Sequence, residues 1–319
     1  MRNLFRQFAK YYQDKDFRVF QNEFAKEVYE CLGTSYSNNH NEVTMVTELC
    51  KTINGKSYDK LNFYAEKIHG TRSYVEFNKL DKPVTTELAD MVIISVVTRN
   101  RDIVYEKLSF VQNKKSDESE NWKIDDNQLY LLKNFPSFKG TKGIFKKNFG
   151  SDVNFLNRSK NLGTYGLFKQ PGEMLLINAD NIYSNMDKDK VKFDELRKIQ
   201  NQPNSNNNIG FPFFDKHFLH HMDMFHLFEN GVPFFNLPFL GNVSISQNIY
   251  EFIRNWSLYN IGEEASSFGV IMDQDLSNFT KLILRQANLG ERINLNLDIQ
   301  GSIETNLIVN VAHLELGEK

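Results

Sequence analysis

The sequence predicts an α/β fold, and three stretches carry that prediction. Between Asp16 and Cys31 the apolar residues Phe17, Phe20, Phe24, Val28 and Cys31 recur at three- and four-residue intervals, the spacing of one helical face. From Glu87 the run ELADMVIISVVT places β-branched residues on both faces, as a strand buried on both sides requires. After a turn at RNRD, the strand IVYEKLSFVQNKK follows closely enough to pair with it as a hairpin. Ile124 to Asn134 then reads as a short helix, begun by Asp125 or Asp126 and stopped before Pro136.

The flanking elements are read from the same signals. Gly33 is expected to close the first helix. A second helix covers Glu42 to Ile53, stopped by Asn54 and Gly55. Residues 164–178 read as a second hairpin turning at QPGE, and the charged stretch from Met186 to Ile199 as a helix. The low-complexity run NQPNSNNN at 201–208 is expected to be a linker or long loop. It divides a domain at 1–200 from a C-terminal extension at 209–319, where a helix over Ile249 to Leu258 and strand-like alternation near 293–299 and 303–311 predict an α+β arrangement.

Composition narrows the class. At 319 residues with 40% apolar content, the chain can bury one large core or two modest ones. A net charge of −2 argues against a uniformly basic nucleic-acid coat and leaves only local patches for that purpose. Cys31 and Cys50 form no CxxC pair, which argues against a disulfide framework or a cysteine zinc module and favours a reducing, cytoplasmic setting. The apolar run from Met91 to Val97 is too short to span a bilayer, and no membrane role is expected.

Phosphodiester hydrolysis requires a divalent metal to neutralise developing charge and position water, with a cation to assist the nucleophile. Asp90 opens the first buried strand, while Gln112 and Lys114 sit two apart near the end of the next and therefore share a face. Taken singly, each has an ordinary reading: Asp90 as a cap, Gln112 and Lys114 as the exposed end of a hairpin. Together they resemble the PD-(D/E)xK superfamily, in its Mrr-like branch, whose motif is D followed by QxK. Here the motif is Asp90 in ELAD and then Gln112-Asn113-Lys114, and the resemblance covers roughly residues 16–135.

That resemblance implies a restriction-endonuclease-like mixed central sheet flanked by helices and a Mg²⁺- or Mn²⁺-dependent nuclease acting on DNA. It also implies bacterial restriction or anti-phage defence. Asp90, Gln112 and Lys114 would be catalytic. Ala89 stands where a proline commonly precedes the acid, and Gln112 leaves the metal one charge short. Glu27, leaning toward the apolar side of the first helix, is the candidate that completes a metal set of Glu27, Asp90 and Gln112. Gln128 and Tyr130, on the following helix, have an ordinary reading as exposed polar residues. The alternative is a nuclease-fold protein with weakened catalysis, serving as a nucleic-acid sensor or protein-interaction subunit.

No acid occurs between Asp126 and Asp152, whereas Lys133, Lys139, Lys142, Lys146 and Lys147 alternate with phenylalanines, as a phosphate-binding loop would. A solvated hairpin with core phenylalanines fits equally well. His217, His220, His221 and His226 raise zinc as an option, but no HExxH pattern accompanies them and surface or structural histidines are expected. The helix around Trp256 has an apolar face suited to homo-oligomer contacts, to a partner subunit or to ordinary core packing.

Overall fold

The computed structural model describes residues 2–68, 74–116, 121–141, 152–156, 160–185, 190–192, 239–267, 270–295, 297 and 307–316. The expected linker at 201–208 lies outside these residues. Three helices come first: α1 (Arg2–Gln13), α2 (Lys15–Ser37) and α3 (Glu42–Ile53). Asp14 caps α2 by accepting from the Asp16 N–H at 2.9 Å, and Asn41 caps α3 by accepting from the Thr44 N–H at 2.9 Å. α2 continues beyond Gly33, where a stop was expected. Gly33 instead admits the turn at Pro171 and Gly172, since a Cβ there would press on the Pro171 carbonyl at 3.0 Å.

The strands β1 (Ser57–Tyr58), β2 (Leu61–Ile68), β3 (Tyr74–Lys79) and β4 (Lys82–Glu87) lead into the hairpin β5 (Met91–Arg99) and β6 (Asp102–Lys115). β7 (Asn121–Lys123), α4 (Asp126–Asn134) and β8 (Phe138–Gly140) follow, and then the second expected hairpin, β9 (Gly163–Lys169) and β10 (Glu173–Asn178). The chain closes with α5 (Ala179–Asn185), β11 (Lys190–Lys192), β12 (Ile245–Ser246), α6 (Ile249–Ser257), β13 (Glu263–Ser267), β14 (Val270–Ile271), α7 (Gln274–Gln286), α8 (Leu289–Arg292) and β15 (Leu307–Glu315).

Among the described residues, ten strands form one mixed sheet: eight follow the path β1-β2-β15-β5-β6-β9-β10-β12, and β13, paired to β6, and β14, paired to β13, lie off it. β15 with β5 and β6 with β9 are parallel pairs, and the other neighbours are antiparallel. The length of β6 lets it pair with β13 over Tyr105–Leu108 and with β9 over Phe110–Lys115. Alternation along β5 sends Val92, Ile94 and Val96 into a core shared with α4, α5, α7 and α8, and Met91, Ile93 and Val97 into one shared with α1, α2, α3 and α6. This is an α/β architecture with helices on both faces of a central sheet.

The expected C-terminal extension joins that same sheet. β5 is buried on both faces and needs a partner on each edge, and β15 supplies one by lying between β2 and β5. Two further elements differ from expectation. Lys190–Lys192 pairs with β7, bringing Val191 opposite the buried Trp122, where a helix was expected. Leu289 and Ile293, four apart, both enter the core at and just beyond α8, so the described residues near 293 end a helix and form no strand.

Glu106 on β6 is fully buried near Ser266, Ser277 and Lys281. Burial raises its pKa from 4.5 to about 7, against the pull of those groups. Below the lower value both folded and unfolded chains carry the proton. Through the window the unfolded chain ionises first, so stability falls as pH rises, by about 3 kcal/mol above both values. Glu106→Gln removes this ionisation; its advantage in Tm over the wild type should be larger at pH 8 than at pH 5, and an equal difference at both would contradict the assignment.

Candidate active site

Asp90 stands immediately before β5. Its N–H donates to the Val111 carbonyl at 3.1 Å and its own carbonyl accepts from the Ile308 N–H at 3.2 Å, so its backbone is held between β6 and β15. Because Met91 pairs with Val111, Asp90 lies across from Gln112 and both belong to the face of Val92 and Phe110. The Gln112 amide donates from Nε2 to Asp90 Oδ2 at 2.5 Å, and the Asn113 N–H donates to the same oxygen at 2.8 Å. Lys114 shares this face by its two-residue spacing. The ordinary reading of Gln112 as part of an exposed hairpin end is thus not what forms here: Gln112 is buried.

α4 closes the site from above the sheet. Asp125 caps it, accepting from the N–H groups of Asn127 and Gln128 at 3.0 and 2.9 Å. Gln128 lies three and four residues before the buried Leu131 and Leu132, and is carried inward with them. Its Nε2 donates to Gln112 Oε1 and, at 3.3 Å, to the Glu87 carbonyl. Gln128 is buried where an exposed glutamine is the ordinary expectation; the stripe it forms with Leu131 and Leu132 is the signal that marks it.

Burial lifts the Asp90 carboxyl above its ordinary range, opposed by the Asn113 N–H, the Lys114 ammonium and the Gln112 amide. Glu42, in the first turn of α3, adds to the lift by its negative charge. Its Oε1 accepts from the Lys115 N–H at 2.8 Å, which fixes it at the end of β6. Tyr165 pairs with Gln112 from β9, and its buried hydroxyl makes no hydrogen bond among the described residues. Burial raises its pKa well above the ordinary value, with Asp125 and Asp90 contributing. Sequence reasoning missed Glu42 and Tyr165, since neither lies in a motif: the packing of α3 on the end of β6 brings in the first and the β6–β9 register the second.

Other expected site residues lie elsewhere. Glu27 forms an ion pair with Lys56 on the face of α2. The Lys56 carbonyl accepts from the N–H of Phe63, which pairs with Ala312 and, through it, with the level of Ser95. That is five residues along β5 from Asp90, about 16 Å. Lys133 pairs with Asp180 at 3.6 Å and Lys139 with Glu76 at 2.6 Å, while Lys142, Lys146 and Lys147 lie outside the described residues. The histidines at 217, 220, 221 and 226 also lie outside them.

Known proteins add nothing to this picture. No family model, curated protein or solved structure matches the chain.

Among the described residues, no three His, Cys, Asp or Glu side chains gather into a metal-binding group. Asp90 supplies one carboxylate and the charge of Glu42 acts on it, and Mg²⁺ commonly binds one or two carboxylates with water and phosphate oxygens completing its shell. The donor chemistry therefore fits a hard divalent cation. Gln112 fits less directly, because its oxygen faces Gln128 and its nitrogen faces Asp90. Without such a cation, ionised Asp90 is an electrostatic burden on the fold at neutral pH. Asp90→Asn should raise Tm at pH 7.5 in metal-free buffer, as read by calorimetry, whereas a lower Tm would mean that the carboxylate is a net stabilising group.

Proposed function

We propose that this chain is a metal-dependent nuclease of the restriction-endonuclease-like type, hydrolysing phosphodiester bonds with DNA as the favoured substrate. The observation that carries the reading is the Asp90–Gln112 hydrogen bond across β5 and β6, with Lys114 on the same face and its charge acting on Asp90. This supports the resemblance to the D-then-QxK motif of the Mrr-like nucleases. Asp90 and Glu42 would hold Mg²⁺ or Mn²⁺, which supplies the positive charge that phosphate chemistry requires. Lys114 would orient the attacking water and stabilise charge on the phosphoryl oxygens. The buried Tyr165 hydroxyl, on which the Asp90 charge acts, offers a further donor.

Restriction or anti-phage defence is the biological role this reading favours, in a cytoplasmic setting consistent with the free thiols Cys31 and Cys50. No helix among the described residues is long and apolar enough to cross a membrane. A second reading, a sensor or interaction subunit with weakened catalysis, is favoured by the Gln112 oxygen facing away from Asp90. Plasmid DNA incubated with the wild type and Mg²⁺ or Mn²⁺ separates the two. The nuclease reading expects cleavage that drops at least a hundredfold in Asp90→Ala and in Lys114→Ala. Binding of DNA without cleavage favours the sensor.

A further inference from the structure

We propose that Gln128 is a positioning residue that sets which way round the Gln112 amide sits, and thereby how readily the Asp90 pocket accepts a divalent cation. The inference rests on the nuclease reading and concerns the regulation of the same site. It starts from a fixed polarity. The Glu87 backbone carbonyl can only accept, so Gln128 presents its Nε2 to it at 3.3 Å. The same NH₂ group has a second hydrogen, which it donates to Gln112 Oε1. Gln112 must therefore turn its own NH₂ group toward Asp90, where it donates at 2.5 Å. The orientation of a backbone carbonyl is thus transmitted through two side-chain amides to the carboxylate at the centre of the site.

The consequence is an arrangement satisfied without metal. Asp90 Oδ2 receives two N–H donors, from Gln112 and Asn113, and the one Gln112 atom able to ligate a cation points the other way. Turning the Gln112 amide to bring its oxygen toward Asp90 would set its NH₂ against the NH₂ of Gln128. Turning Gln128 as well would set its oxygen against the Glu87 carbonyl. Both amides are buried, so water is poorly placed to relieve either conflict. Gln128 and Gln112 consequently act as one unit with a preferred, cation-resisting state, and a cation must supply the free energy to reverse it.

A double-mutant cycle read by Mn²⁺ affinity tests this, using electron paramagnetic resonance of free Mn²⁺ with the full chain. Gln128→Leu removes the polarity constraint without adding charge, and should tighten Mn²⁺ binding about five- to tenfold, the effect of roughly one buried hydrogen bond. Gln112→Glu presents oxygen whatever stands at 128, so adding Gln128→Leu to it should change affinity by less than about twofold. Gln128→Met, which keeps an unbranched side chain, serves in place of the leucine variant if the latter fails to fold. An unchanged or weaker affinity in Gln128→Leu, or an equal gain in both backgrounds, overturns the inference while leaving the nuclease reading standing. Wild-type protein that binds no Mn²⁺ dependent on Asp90 overturns both.

Discussion

When β5 and β6 close through the two-residue turn at Asn100 and Arg101, both with positive φ, the paired residues of the two strands are assigned a face and a partner. One register shift near Thr98 is absorbed, and from Val97↔Tyr105 to Met91↔Val111 the pairing is continuous. This register places Asp90 across from Gln112 and puts Lys114 beside them. A slip of one residue would send Gln112 into the α2 core and bring Asn113 to the α4 face. The apolar content of β5, which belongs to both cores, makes such a slip costly.

The sheet around this hairpin then builds the site from distant parts of the chain. β15, from the far end of the sequence, fixes the backbone at Asp90 through Ile308, while β9 brings Tyr165 beside Gln112. The first turn of α3 delivers Glu42 to the end of β6, and α4 delivers Gln128. At the opposite end, β6 buries Glu106 and Lys107; the Lys107 ammonium donates to the Asn242 side chain at 2.8 Å and burial pulls its pKa down to about 8. The strand thus buries ionisable groups on the Asp102 side of Leu108–Val111 and presents the polar Gln112, Asn113 and Lys114 on the other.

How much of this was legible in the sequence depended on range. α3, the β5–β6 and β9–β10 hairpins, α4 and α6 were legible because their signals are local: capping residues, alternation and turn chemistry. The juxtaposition of Asp90, Gln112 and Lys114 was legible for the same reason, since they lie on two strands joined by a short turn. Glu27 was placed by helical angle alone, which gives a direction around α2 but not which partner waits there; Lys56 does. Glu42, Tyr165 and the insertion of β15 depend on pairing between segments remote in sequence, where alternation identifies a strand without naming its neighbour.

The account turns on whether Asp90 is a seat for a hard cation. Crystals soaked in Mn²⁺ and measured at the manganese absorption edge give the most direct answer. The account predicts an anomalous peak within about 2.0–2.6 Å of an Asp90 carboxylate oxygen, with Glu42 joining the shell directly or through water. A peak confined to other residues, with Gln112 Nε2 and the Asn113 N–H still on Asp90 at millimolar Mn²⁺, would contradict it.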